Sequence, residues 1–231
     1  MSPDPKASRD SEFKGEGLAC RRGGRRIFEN LAFHLKSGGL LLVMGPNGSG
    51  KSTFLRAVAG LLSLERGGMT RDGHAISASD ADYHADLVYV GHKNAIKPSL
   101  SVRENLDFWA RFSGVPGAGE AALDVLDLRP LADMRAGELS AGQQRRLALS
   151  RLFLRPVPLW LLDEPTVGLD RQSGERFAAA MTDHLAAGGM IMAATHADLG
   201  VSDPAIHQAV LDLGDFAPSI ESEWEDLEIW T

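Results

Sequence analysis

Two periods alternate along this chain. Continuous apolar runs at Leu40 to Met44, Leu87 to Val90, Leu159 to Leu162 and in MIMAATH, Met190 to His196, predict short strands buried on both faces. Between them, STFLRAVAGLL carries apolar residues at Phe54, Leu55, Val58, Ala59 and Leu62, the spacing of one helix face, and SGERFAAAMTDHLAA is again amphipathic. Strand, helix and strand in that order predict an α/β fold with a parallel sheet covered by helices. From Leu100 to Arg155 the pattern is mostly helical, broken at GVPGAG and ELSAGQ, which predicts an inserted helical subdomain at about 97–150. Leu18 to Leu42 read as short strands joined by the turn RRGGRR. Residues 1–16 are polar and carry both charge signs, which predicts a flexible arm. Residues 216–231 form an acidic tail with two tryptophans, solvated or loosely docked, and 17–215 form the ordered domain between.

The strongest chemistry lies where the first buried strand meets its helix. GPNGSGKS, Gly45 to Ser52, matches G-x-x-x-x-G-K-[ST]. Gly45, Gly48 and Gly50 let the backbone curl around phosphate oxygens, with Pro46, Asn47 and Ser49 between them and Thr53 in the helix, whose N-terminus adds its dipole. Lys51 supplies a point charge to the β and γ phosphates, and the Ser52 hydroxyl suits Mg²⁺. LWLLDE ends a buried strand on two carboxylates, which strand alternation sends opposite ways. Asp163 is expected to hold Mg²⁺ and Glu164 to orient and polarise the water attacking the γ-phosphate. His196, closing MIMAATH, is expected to project from the same sheet edge toward that phosphate. ELSAGQQRR contains Ser-x-x-Gln before a helical run, a capping box that puts Ser140 at the N-cap and Gln143 three residues on. The amides of Ala141, Gly142 and Gln143 then offer a second anion site.

Composition narrows the function classes. A net charge of −7 argues against a broad nucleic-acid footprint, and no nucleic-acid partner is expected. One cysteine rules out an internal disulfide. No apolar run approaches the roughly 20 residues that span a bilayer, so any membrane connection is expected to come through a partner.

Together these motifs resemble the ATP-binding-cassette (ABC) ATPase family from about Leu18 to Leu213. By that likeness GPNGSGKS is the Walker A loop, LSAGQ the signature, LWLLDE the Walker B strand, VGLD with Asp170 the D-loop and His196 the switch histidine. The resemblance implies a P-loop NTPase (RecA-like) core, an N-terminal antiparallel β subdomain and a helical subdomain carrying the signature. It implies ATP and Mg²⁺ as cofactors and a head-to-tail homodimer in which Ser140, Ala141, Gly142 and Gln143 reach the nucleotide of the other copy. Three positions depart from the family pattern. Ala141 replaces the signature's first glycine. Arg22 falls where an aromatic usually stacks on adenine, and either stacks there or belongs to a solvated basic turn. His92 stands where the family has a glutamine, and its imidazole nitrogen is expected to reach Mg²⁺ through water or not at all.

Within the family, GHKNAIKPSLSVRENL, ACRRGGRRIF, LSAGQQRRLALSRL and LWLLDEPTVGLD are most similar to the haem-exporter ATP-binding subunits of c-type cytochrome maturation. That likeness implies a peripheral ATPase on the cytoplasmic face of the inner membrane, held by integral subunits of the CcmB, CcmC and CcmD type. It would power haem export or release of a haem-loaded chaperone.

Overall fold

The computed structural model describes residues 11–77 and 79–218. The first ten residues of the expected arm and the tail from 219 lie outside them. Residues 11–16 do not belong to an arm. Strand β1 spans Glu12–Arg22, with Ser11 5% and Phe13 1% exposed. Phe13 is seated edge-on against Phe33, ring centroids 5.1 Å apart, so one apolar anchor orders a stretch whose neighbours are polar.

β1 pairs antiparallel with β2, Arg25–Lys36, through a turn in which Gly23 and Gly24 take positive φ. Both strands are longer than the short ones expected. With β4, Arg66–Arg71, and β5, His74–Ile76, they form a four-stranded sheet of order β2-β1-β4-β5. A second, wholly parallel sheet has the order β6-β7-β8-β3-β9, from β3 Gly39–Met44, β6 Leu87–Val90, β7 Leu159–Asp163, β8 Met190–Ala194 and β9 His207–Asp212. Alternate residues of β7 and β8 feed two cores. Leu159, Leu161, Met190 and Met192 join the antiparallel sheet and helix α1, Lys51–Val58. Trp160, Leu162, Ile191 and Ala193 face Phe177, Met181 and Leu185 of α6, Arg171–Ala186. A strand covered on both sides has no polar face, which is why its sequence runs continuously apolar.

α1 is 8 residues long, too short to persist alone in water. It is held by Phe54, Leu55 and Val58, all fully buried, each contributing about 1.5–3 kcal/mol by leaving water. Short helix α2, Ala81–Ala85, precedes β6. The insertion contains α3, Val102–Phe112, α4, Gly119–Val125, and α5, Ala141–Leu149. Val102, Leu106, Leu123, Leu128 and Leu147 give it a third core of its own. Ala148 and Leu149 turn instead to the sheet, so α5 packs on both sides. No helix among the described residues is long and apolar enough to cross a membrane.

Candidate active site

The turn from β3 into α1 is built on left-handed backbone. Gly45, Gly48 and Gly50 have φ of 130°, 84° and 102°, values that side chains resist. Gly50 is the N-cap of α1 and no side chain caps the helix, leaving its first amides free to face a ligand. Packing adds a second constraint at Gly50, because a Cβ there would overlap Ile27 Cγ2 of β2. Gly50→Ala is therefore expected to weaken ATP binding at least tenfold, since strain and overlap must both be relieved by reshaping the loop; equilibrium titration with labelled ATP measures it. Lys51 lies across the turn, its ammonium donating to the carbonyls of Gly45 at 2.7 Å and Pro46 at 3.0 Å. Ser49 Oγ is buried in this turn without a hydrogen-bond partner.

Two sheet strands bring acids to this loop. Asp163, last residue of β7 and 1% exposed, accepts a hydrogen bond from Ser52 Oγ at 2.9 Å on Oδ1. The Tyr89 hydroxyl lies 3.4 Å from Oδ2. Glu164 parts from Asp163 by a turn, not by strand pleating: β7 has ended, and Glu164 has φ 49°, a costly conformation for a side chain. Its N–H donates to Ala194 O at 2.8 Å, which locks the turn to β8. Its carboxylate sits 3.9 Å from His196 Nε2, two residues past the end of β8. The structure thus gathers Lys51, Ser52, Thr53, Asp163 and Glu164 around one cavity of about 350 Å³, with Asn47, Gly48 and Gly50 on its wall. Arg22, from the β1–β2 turn, and His92, just beyond β6, line it too. A larger hollow along α6, about 700 Å³, contains no residue of the phosphate loop.

Ser140, Ala141, Gly142 and Gln143 do not line this cavity. Their capping box is complete: Ser140 Oγ accepts from the Gln143 N–H at 3.3 Å, and Gln143 Oε1 accepts from the Ser140 N–H at 2.8 Å. Ala141 opens α5 with negative φ, so the lost glycine costs no backbone strain there. Gly142 is needed for another reason, because a Cβ would lie 2.5 Å from the carbonyl of Gly168. Asp170 caps α6, accepting from the Ser173 N–H at 2.8 Å, and that bond lowers its carboxyl pKa.

Arg145 is the residue that reading the sequence missed. It is 4% exposed, and its guanidinium donates to the carbonyls of Gly91, Asp163, Glu164 and Pro165 and to Asn94 Oδ1, at 2.8 to 3.1 Å. Burial lowers its pKa, while the charges of Asp163 and Glu164 oppose that shift. The signal was present: 145, 148 and 149 share one helical face, and two of the three are apolar.

A sequence model described as ABC transporter matches residues 28–167, more than half of the chain. The chain belongs to the ABC transporter family. Among its relatives in that family is a protein of Rhodopseudomonas palustris (strain BisB5) named cytochrome c biogenesis ATP-binding export protein CcmA. It is 47% identical over 82% of this chain and 94% of its own length. A protein of the same name from Paramagnetospirillum magneticum is 45% identical over 88% of this chain and 95% of its own. The ABC fold is matched by solved structures of low identity. An ATP-binding protein described as a putative ABC transporter from Pyrococcus furiosus has a TM-score of 0.73 at 20% identity, covering 90% of this chain and all of its own. A dimeric ATP-binding cassette in a post-hydrolysis state, bound to ADP and Pi, has a TM-score of 0.74 at 24% identity, covering 87% and 95%.

Proposed function

We propose that this chain is the ATP-hydrolysing subunit of an ABC export complex in c-type cytochrome biogenesis. The observation that carries the chemistry is the convergence of Ser52, Asp163, Glu164 and His196 beside the glycine-rich turn. The names of the relatives at 45–47% identity support the biological setting.

ATP is the substrate. The free N–H groups of the glycine-rich loop and of the first turn of α1 hold its phosphates, and Lys51 exchanges its carbonyl partners for the β and γ oxygens. Glu164 accepts a proton from the water that attacks the γ-phosphorus as the bond to the ADP oxygen breaks, and His196 orients the γ-phosphate. The Ser52 hydroxyl and Asp163 carboxylate are two converging oxygen donors. No cluster of three or more His, Cys, Asp or Glu that could hold a metal ion occurs among the described residues. That donor set fits Mg²⁺, which takes one or two protein oxygens and completes its octahedron with phosphate and water. Bound there, the ion would neutralise charge on the β and γ oxygens. His92 and Arg22 line the cavity; His92 would reach the metal through water or not at all, and the Arg22 guanidinium would stack on the base.

Ser140, Ala141, Gly142 and Gln143 lie outside the cavity of their own chain, which supports a homodimer in which they meet the γ-phosphate held by the other copy. Asp170 lies beside that contact. Integral partners of the CcmB, CcmC and CcmD type hold the pair at the cytoplasmic face of the inner membrane, where closure around ATP drives haem export or release of a haem-loaded chaperone.

The test is to purify the membrane complex through a tag on this chain, identify its subunits and follow c-type cytochromes in cells lacking the chain. The proposal expects partners of that type and loss of holocytochromes. Normal holocytochrome levels with another set of membrane subunits would reassign the cargo while keeping the ATPase.

A further inference from the structure

Tyr89 is placed where nothing in the phosphate-loop chemistry requires a hydroxyl. It is the third residue of β6, and its hydroxyl lies 3.4 Å from Asp163 Oδ2, on the opposite side of the carboxylate from Ser52. Arg56, one turn beyond Ser52 on α1, acts on the same phenol with its positive charge, and Asp163 acts on it with the opposite sign. A phenol has one proton to donate, and a carboxylate oxygen only accepts, so that proton is directed to Asp163 Oδ2. The ring fits because residue 91 is glycine: a Cβ there would come within 2.9 Å of the Tyr89 oxygen and 3.1 Å of two ring carbons. Tyr89 also lines a groove of about 600 Å³ between core and insertion, together with Leu61, Trp109, Phe112 and Arg151.

We propose that Tyr89 is a positioning residue for the metal-holding carboxylate. Donating to Oδ2, it fixes the rotation of Asp163 so that Oδ1 stays on Ser52 and the pair faces the cavity as a ready two-oxygen donor set. The inference rests on the reading of Ser52 and Asp163 given above. It adds that their orientation is set from β6, through a side chain that also forms the groove wall. Gly91 and Tyr89 therefore act as a unit with the turn that carries His92.

The test uses the full chain and two variants that break the contact differently. Tyr89→Phe removes the hydroxyl and keeps the ring. Gly91→Ala keeps the hydroxyl and displaces the ring; residue 91 has no positive φ, so alanine is free of backbone strain. Thermal denaturation checks folding. Binding of ATP in excess chelator is expected to be unchanged in both variants, because the loop and Lys51 are untouched. The Mg²⁺ concentration for half-maximal hydrolysis is expected to rise about tenfold, in line with losing one hydrogen bond to a charged group. The resonance spectrum of Mn²⁺ bound with a non-hydrolysable ATP analogue should broaden as the donor set loosens. Folded variants with half-saturation and Mn²⁺ spectra like the parent would overturn the proposal, as would a shift in Gly91→Ala alone. A parent chain whose nucleotide binding and hydrolysis ignore Mg²⁺ would instead remove the reading of Ser52 and Asp163 itself.

Discussion

Glu164→Gln is expected to lower steady-state ATP hydrolysis by about 10²–10⁴-fold, the usual loss when a general base is removed, with ATP binding retained. Glutamine keeps the shape of the side chain and its hydrogen-bonding capacity but takes up no proton. The phosphate loop should not notice, since the carboxylate's mapped partner is His196 at 3.9 Å and Ser52 bonds Asp163 instead. The backbone cost of φ 49° is already met by the Ala194 carbonyl and is similar for either residue. With hydrolysis blocked, the ATP-bound form should accumulate as a dimer, visible by size-exclusion chromatography in ATP and absent in ADP. Phosphate release under saturating Mg²⁺·ATP measures the first effect. Turnover equal to the parent's would show that another group handles the proton.

Arg145→Ala should produce the largest structural loss of any single surface-distant change near the site. It would strip one guanidinium from five acceptors, the carbonyls of Gly91, Asp163, Glu164 and Pro165 and the side chain of Asn94. Each buried acceptor left without a donor costs about 1–3 kcal/mol, and water entering the gap recovers part of the sum. A net loss of about 3 kcal/mol is expected, which lowers Tm by roughly 6–12 °C in a chain of this size. Arg145→Lys should fall between, because three N–H donors on one atom do not span a fan of five acceptors. Calorimetry measures the stability. Hydrolysis assayed well below the lowered Tm should still be reduced, since the ends of β6 and β7 lose their shared brace. An Arg145→Ala variant with the parent's Tm would mean that these bonds contribute nothing net.

Which parts of this arrangement could be read from the chain depends on how local their causes are. The loop Gly45 to Ser52 and the box of Ser140 with Gln143 are contiguous, with the bonds of Lys51 and of the capping box all within a few residues, and spacing alone conveys them. Four of the parallel strands, β3, β6, β7 and β8, are legible because burial writes a continuous apolar run, whereas β9, HQAVLD, lies mostly exposed at the sheet edge and has none. β1 starts earlier than its polar residues suggest because Phe13 owes its place to Phe33, far along the chain. β4, RGGMTR, shows no alternation at all, since Gly67 lies against the backbone of Glu16 and Gly17 and has no side chain to contribute. The helical face of Arg145 was legible beside Ala148 and Leu149, but what it binds was hidden for a different reason. Its partners are almost all main-chain carbonyls, which every residue type possesses and no sequence motif marks. The split between Asp163 and Glu164 was expected from strand alternation and arises instead from one left-handed residue, which a sequence does not announce outside glycine.

α5 is gripped differently at its two ends. Near its C-terminus, Ala148 and Leu149 are sunk in hydrocarbon against the sheet, while nearer its start Arg145 is held by directional polar bonds. A tilt of α5 would turn about that apolar end. The arm from Leu149 to Ser140 is about 13 Å long, so a tilt of about 10° swings Ser140 by about 2 Å. That travel is less than one hydrogen-bond length, and in the proposed homodimer it would be enough to bring the amides of Ala141 and Gly142 into or out of reach of an anion on a facing copy.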